Sequence, residues 1–207
     1  FLLLACLERV MPFRDYSQTK GRRWSTNIAL SIMSTLILRA VPAFAAGVAA
    51  VFASNHSFGL LHTIETPDIA GIILTLFILD FIIYLQHVLT HKVNFLWAIH
   101  QVHHSDKDFD ITTGIRFHPV EIVFSMGIKC SAVIALGAPL LGVIVFEILL
   151  SACSLFTHTN ISFSEKLDRV LRYFLVTPNM HRIHHSVDRK EHDSNYGTCI
   201  SIWDRIC

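Results

Sequence analysis

Residues 122–156 read IVFSMGIKCSAVIALGAPLLGVIVFEILLSACSLF, a mainly apolar run of 35 residues. One helical crossing of a membrane needs about 20 residues, so the run is too long for a single helix. Gly137, Ala138 and Pro139 lie near its middle, where glycine and proline interrupt helices. The run therefore predicts a helical hairpin, residues 122–136 and 140–156, which either crosses the membrane twice or turns back within it.

Two further apolar stretches, residues 28–53 and 69–86, are each predicted to be one membrane span. The chain is 52% hydrophobic with a mean hydropathy of +0.49, which exceeds the usual composition of soluble proteins. Its net charge of +1 gives no field that would favour nucleic acid as a partner. We expect an all-α integral membrane protein, a bundle of about four transmembrane helices that forms a single domain over residues 1–207.

The basic residues alternate between the segments that join these spans. Lys and Arg occur five times in residues 8–27, never in 54–68, three times in 88–121 and seven times in 157–207. The positive-inside rule then places residues 54–68 outside and the other three segments together on the cytoplasmic side. A hairpin is needed for this arrangement, since an odd number of crossings would separate the last two segments.

Two further predictions concern the ends of the chain and the state of its cysteines. The chain opens on Phe1 and stops at Cys207, and we expect it to be a piece of a longer protein. Its five cysteines show no Cys-x-x-Cys spacing and are predicted to be reduced.

Thirteen histidines are present, and eight of them fall into three short blocks. Residues three or four apart share one face of a helix, so each block can direct two or three imidazoles at a common centre. Eight nitrogens exceed the four ligands of a tetrahedral zinc site and suit two ions with open positions. The blocks are His87-Val-Leu-Thr-His91, His100-Gln-Val-His103-His104 and His181-Arg-Ile-His184-His185.

Asp80 and Tyr84 lie on the same helical stripe as His87 and His91. A carboxylate within a membrane span is costly unless it is paired, so Asp80 is a candidate acceptor for the N–H of a ligand imidazole, with Tyr84 beside it. A contact between Asp80 and Tyr84 that only packs helices together is the alternative.

The remaining histidines are single. His158 follows the hairpin on the cytoplasmic side and is a candidate ligand, and His118, which precedes the hairpin, is a weaker one. Either could instead be a polar residue at the membrane interface. His192 lies in a charged stretch and is predicted to be solvated, whereas the outer position of His56 and His62 excludes them.

The three blocks, in this order and divided by an apolar hairpin, resemble the fatty acid hydroxylase superfamily, also called the sterol desaturase family. Further motifs carry the likeness, which covers residues 80–205 and is greatest to the bacterial sterol-desaturase-like branch. These motifs are Arg116-Phe-His-Pro-Val-Glu121, Thr177-Pro-Asn-Met-His-Arg-Ile-His-His-Ser186, Asn195-Tyr-Gly197 and Trp203-Asp-Arg205.

The resemblance implies a bundle of four membrane helices capped by a cytosolic, histidine-rich lobe that binds two metal ions. Three residues are expected to contact the ligand side chains without binding the metal, namely Asp80, Tyr84 and Asn195. His118 is a further possible ligand. The implied ligands are His87, His91, His100, His103, His104, His158, His181, His184 and His185.

The resemblance also implies a non-haem di-iron enzyme that uses O2 to hydroxylate a C–H bond of a membrane lipid, fatty acyl chain or sterol. Desaturation and the oxidation of ether lipids or aldehydes are alternatives at the same site. Zinc in place of iron, which is possible in the purified protein, would instead indicate a structural or metal-handling membrane protein, because zinc has no redox chemistry.

An oxygenase of this kind needs electrons, and the sequence contains no flavin, haem or nicotinamide motif. We expect a separate donor, a ferredoxin or a cytochrome b5-like protein, and no nucleic-acid partner. The basic residues Arg169, Arg172, Arg189 and Lys190 could receive an acidic carrier or lipid headgroups. The metal site is expected on the cytoplasmic face, in a bacterial inner membrane.

Overall fold

The structure, a computed structural model, describes residues 1–42 and 44–207. Within these residues the regular structure is helical, and extended chain forms only two isolated bridges, Pro12 with Ile161 and Leu175 with Ile200. The helices are α1 (Leu2–Val10), α2 (Lys20–Arg39), α3 (Ala46–Asn55), α4 (Leu60–Thr63), α5 (Asp68–Lys92), α6 (Asn94–His104), α7 (Pro119–Leu136), α8 (Leu140–Thr157), α9 (Glu165–Leu171), α10 (Pro178–His184), α11 (Arg189–His192) and α12 (Trp203–Ile206). The all-α prediction is confirmed.

Among the described residues, α5, α7 and α8 are long and apolar enough to cross a membrane. Large apolar side chains on their surfaces, such as Ile69, Phe77 and Leu141, are exposed, as expected of helices that face lipid. Helix α5 packs against both α7 and α8, and α3 packs against the same two helices from another side. The buried core lies where these four helices meet, around Leu79 and Phe146.

The predicted hairpin is confirmed, with α7 and α8 as its arms. Gly137 ends α7 in the left-handed conformation, at φ 68°, and Pro139 then serves as the N-cap of α8. A side chain at position 137 would collide with the loop between α3 and α4, since its Cβ would lie 2.8 Å from the Phe58 carbonyl oxygen. The turn therefore depends on glycine for its dihedral angles and for its space.

The region predicted as a single span over residues 28–53 differs from that expectation. Helix α2 begins before it, at Lys20, and ends at Arg39, and a separate helix, α3, begins at Ala46. Pro42, which lies between them in the sequence, has no N–H to donate and disfavours helical geometry in the residue before it. The count of about four membrane helices is thus not exactly confirmed, since three helices within residues 1–42 and 44–207 have the length and hydropathy of a span.

Buried carboxylates join the polar segments of the chain into one lobe. Glu8 of α1 accepts hydrogen bonds from the backbone N–H of Ile111 (2.8 Å) and of Asn160 (2.7 Å). Arg23 of α2 pairs with Asp106 at 2.7 Å and with Asp110 at 2.6 Å. Buried charges need such partners, and these fix the segments on either side of the hairpin relative to α1 and α2.

Replacing Gly137 by alanine is expected to destabilise the protein by about 1–3 kcal/mol, because alanine disfavours positive φ and its Cβ would enter occupied space. The temperature of thermal unfolding in detergent measures the change. Gly21→Ala is the matched control, since its Cβ would lie on α2 with nothing within 4 Å. Equal unfolding temperatures for the two variants would contradict the role given to Gly137.

Candidate metal centre

Nine histidines converge in two adjacent groups where the polar lobe meets α5 and α8. Site A comprises His87, His91, His100, His104 and His184, and site B comprises His103, His158, His181 and His185. Within each site the candidate ligand atoms lie within 4.8 Å of one another. The rings of His104 and His185 stack at a centroid distance of 4.3 Å, so the two sites are neighbours.

Helical spacing decides which histidine serves which site. Pairs four residues apart lie on one face of a helix and enter the same site, whereas the third histidine of a block points to the other. The pairs in site A are His87 with His91 and His100 with His104, and the pair in site B is His181 with His185. His158, directly after α8, gives site B its fourth imidazole.

Main-chain carbonyls fix the protonation of several rings. Nδ1 of His87 lies 2.7 Å from the Tyr196 carbonyl oxygen, and Nδ1 of His184 lies 2.8 Å from that of Ser194. A carbonyl oxygen only accepts, so each Nδ1 carries the proton and each Nε2 keeps a free lone pair. Yet these two Nε2 atoms face each other at 3.0 Å. No hydrogen bond can join them in that state, which is the arrangement expected of two ligands of one cation.

Site B repeats this arrangement. Nδ1 of His103 donates to the Arg116 carbonyl at 3.0 Å, Nδ1 of His158 donates to the Ser154 carbonyl at 2.6 Å, and their Nε2 atoms lie 3.0 Å apart. Nε2 of His158 also lies 3.0 Å from that of His181. Two nitrogens that bind one ion with bonds of about 2.1 Å lie about 3.0 to 3.4 Å apart, depending on the angle between the bonds. The separations in both sites are therefore those expected of ligands that share one ion.

Further buried ring nitrogens have no hydrogen-bond partner. They include both nitrogens of His91, both of His104 and Nε2 of His100. An unpaired buried polar atom is costly, and a bound cation would satisfy one nitrogen of each of these rings. The residues therefore fit two metal ions.

Burial also keeps the imidazoles outside the membrane helices neutral. It is the largest cause that lowers the pKa of His103, His104, His181, His184 and His185 below the usual value, and it lowers the pKa of His158 to about 4. Neighbouring imidazoles add to the effect. At neutral pH these rings offer lone pairs without first losing a proton.

Glu121 is the carboxylate that orients a ligand, although the sequence had assigned that role to Asp80. Glu121 lies in the first turn of α7 and its Oε1 accepts from Nδ1 of His100 at 2.7 Å. Asp80 instead accepts from the indole N–H of Trp203 at 2.8 Å and from the backbone N–H of Ile200. It fastens the C-terminal segment to α5. A carboxylate in the first turn of an apolar helix was a signal that could have identified Glu121.

Tyr84 and Asn195 contact or adjoin residues that orient the ligands. The Tyr84 ring meets Tyr196 edge-on at 6.4 Å. Asn195 adopts a positive φ of 53°, a conformation that asparagine tolerates better than most residues. Its two neighbours, Ser194 and Tyr196, supply the carbonyls that receive the protons of His184 and His87. The backbone turn at Asn195 thus positions the two carbonyls that orient His184 and His87.

Two histidines lie elsewhere than the sequence predicted. His118 belongs to neither site and caps α7, where its Nδ1 accepts from the Val120 N–H at 3.2 Å. His192, predicted to be solvated, is half-buried beside site A, stacked on Trp97 at 5.2 Å with its centroid 5.7 Å from that of His91. With Asp193 it forms a third, looser group around His91.

A cavity of about 370 Å³ connects the metal centre with the membrane helices. It lies between α5, α7 and α8, and its walls are mainly apolar, with Ile83, Met126 and Leu150 among them. Imidazoles of both sites, including His87 and His158, form one end of it. The apolar walls could therefore hold an alkyl chain with one end beside the two histidine sites.

Comparison with known proteins agrees with this centre. The model of the family described as Fatty acid hydroxylase matches residues 72–207, which includes all nine clustered histidines. The chain belongs to the fatty acid hydroxylase family. The resemblance noted from the sequence motifs is confirmed, and no solved structure matches this family member.

Curated relatives of the chain carry the names of enzymes that act on lipids. The chain is 30% identical to the ornithine lipid hydroxylase OlsE of Rhizobium tropici over 99% of its own length and 62% of the relative's. It is 33% identical to alkylglycerol monooxygenase of Xenopus tropicalis (64% of this chain, 29% of the relative) and 32% identical to that of Homo sapiens (61% and 27%). It thus spans less than two thirds of the length of these relatives.

Removing the carboxylate of Glu121 is expected to weaken metal binding by about 10- to 100-fold, because His100 would lose the acceptor that fixes its ring. Glu121→Leu tests this, with iron retention measured against a graded chelator. Glu121→Gln keeps an acceptor and should bind nearly as the wild type does. Glu165→Leu, on exposed α9, is the control, and equal retention in Glu121→Leu would refute the role.

Asp204 supports the segment that carries Tyr196, and it should make stability depend on pH. Burial raises its pKa to about 6, although its Oδ2 accepts from the Gly197 N–H at 3.0 Å. The folded state then binds its proton more tightly than the unfolded state, so stability falls as the pH rises from 3.8 to about 6. Asp204→Asn should lack this fall, and unfolding temperatures of both proteins from about pH 4 to about pH 7 measure it. Parallel curves would contradict it.

Proposed function

We propose that the chain is the metal-bearing membrane part of an O2-dependent lipid hydroxylase that holds two non-haem irons, one in each site. The observation that carries this proposal is the pair of opposed, unprotonated Nε2 atoms in each site, at 3.0 Å, at the end of an apolar cavity. Iron bound there supplies the activation of O2 that insertion into an unactivated C–H bond requires.

The residues of this chain would hold the irons, orient the ligand imidazoles and enclose the alkyl segment of the substrate. Carbonyls and Glu121 keep each Nδ1 protonated, so that Nε2 is the donor atom at every ring they contact. The apolar walls of the cavity hold an alkyl segment beside the centre and exclude water, which would otherwise compete for the reactive site. No side chain in the cavity is required as a general acid or base.

Hydroxylation consumes O2, two electrons and two protons for each C–H bond converted to C–OH, and the second oxygen atom leaves as water. The electrons must come from a separate donor, a ferredoxin or a cytochrome b5-like carrier. Exposed Arg169, Arg172, Arg189 and Lys190 are candidate contacts for an acidic carrier. We place this face in the cytoplasm, because the basic segments surround the metal centre. We place the protein in a bacterial inner membrane, since the relative matched over 99% of the chain is from Rhizobium tropici.

The named relatives favour two kinds of substrate. OlsE points to an ornithine lipid, and the alkylglycerol monooxygenases point to an alkylglycerol. Both are amphiphiles, and the same centre could hydroxylate a C–H bond of either. Desaturation would need the same iron and is the less favoured outcome, since the relatives carry the names of hydroxylases and monooxygenases.

Metal analysis of the protein purified in detergent tests the proposal. The wild type should hold about two irons per chain, and His103→Ala and His104→Ala should each lose iron from a different site. His56→Ala, at an exposed histidine outside both sites, is the control. Purified ornithine lipid, supplied with O2 and a reduced ferredoxin, should then yield a product 16 mass units heavier. Purified alkylglycerol should do the same, or release glycerol and an aldehyde where the carbon next to its ether oxygen is hydroxylated, because the hemiacetal formed there separates. Zinc that persists after anaerobic iron loading, without such a product, would contradict the proposal.

A further inference from the structure

An ion pair lies inside the membrane part of the fold. Nζ of Lys129, on α7, donates to Oε1 of Glu147, on α8, at 2.7 Å. The side chain of Lys129 is 7% exposed and that of Glu147 is 37% exposed. Charged side chains within membrane helices are costly and usually serve a function, and neither residue contacts the metal sites.

The pair marks the end of the metal cavity. Among the residues that line the cavity, Lys129 is the one furthest along α7 from Glu121, and Glu147 is the one on α8 furthest from His158. Beyond them the helices close on packed core residues such as Val133 and Val143, which are 0% and 1% exposed. The cavity therefore has metal ligands at one end and two opposite charges at the other.

Helix geometry gives the distance between these ends. Lys129 lies eight residues, about 12 Å, beyond Glu121 on α7, and Glu147 lies eleven residues, about 16 Å, before His158. An extended chain advances about 1.2 Å per bond, since three backbone bonds span about 3.6 Å. About ten to thirteen bonds of an extended alkyl chain fit between the centre and the pair.

We propose that the Lys129–Glu147 pair determines substrate specificity by ending the cavity with a polar floor that limits the length of alkyl chain held at the metal centre. The inference rests on the proposed function and adds to it the class of group that the cavity takes, an unbranched alkyl segment. An apolar chain cannot replace the hydrogen bond between the two charges, so it stops before them instead of separating the helices.

The alternative is a tether that only joins α7 to α8. A tether would affect stability but not the length of chain that the protein binds. Both residues line the cavity at the end furthest from the histidines, and this position favours contact with the bound chain. The experiment therefore measures both properties on the same preparations.

The metal-loaded protein in detergent is incubated with an equimolar mixture of primary alcohols from octanol to eicosanol, and the retained alcohols are identified by mass spectrometry. Lys129→Met/Glu147→Leu removes both charges at similar size, and Lys129→Gln/Glu147→Gln keeps a hydrogen bond without charge. The apolar double variant should shift retention by at least two carbons toward longer alcohols, whereas the Gln pair should retain the wild-type profile.

Iron content and unfolding temperature of each variant separate binding from folding. An unchanged alcohol profile in a folded, iron-loaded Lys129→Met/Glu147→Leu protein would overturn the inference. If that protein does not fold, Lys129→Met alone replaces it and should shift the profile in the same direction. The readout needs no turnover, so a protein that shows the shift but hydroxylates no lipid would refute the proposed function and leave the polar floor in place.

Discussion

The structure depends on imidazole nitrogens held face to face without a proton between them. Carbonyl acceptors hold the proton of His87 and of His103 on Nδ1, and the Nε2 lone pairs of each site then converge. Such convergence is unfavourable without a cation, so the surrounding chain must impose it. Folding and metal binding are therefore coupled, because the ions would remove the repulsion that the fold otherwise has to oppose.

The rest of the polar lobe supplies the rigidity that keeps the Nε2 lone pairs close together. Arg116 shows how: its carbonyl receives the proton of His103, while its guanidinium donates to Asn27 at 2.7 Å and to the Val102 carbonyl at 2.8 Å. One residue thus connects the second histidine block with α2. Glu8 makes a similar connection from α1 to the segment just after His158. The histidines lie on segments that are distant in the sequence. The buried charged residues form hydrogen bonds between these segments and so hold the histidines together.

Sequence patterns anticipated the features that depend on local spacing. The hairpin followed from the length of its apolar run and from Gly137, and the convergence of the histidine blocks followed from intervals of three and four residues. The division of two blocks between the sites did not follow, since each block was expected to serve one centre. What the sequence could not supply depends on contacts between distant parts of the chain. Asp80 finds its partner at Trp203, 123 residues later, and the carbonyls that orient the ligands are positioned by the backbone turn at Asn195. Main-chain acceptors have no residue type, so no motif identifies them.

The helices that carry the ligands also shape the path to them, and this links chemistry to substrate choice. Helix α5 supplies His87 and one wall of the cavity, and α8 leads directly to His158 and supplies another wall. A change in a ligand would therefore alter the reaction, whereas a change two or three turns away, at Lys129 or Glu147, would alter only what fits beside it. Under the proposed function one centre could oxidise many C–H bonds, so the walls and floor of the cavity, rather than the histidines, would decide which lipid is oxidised.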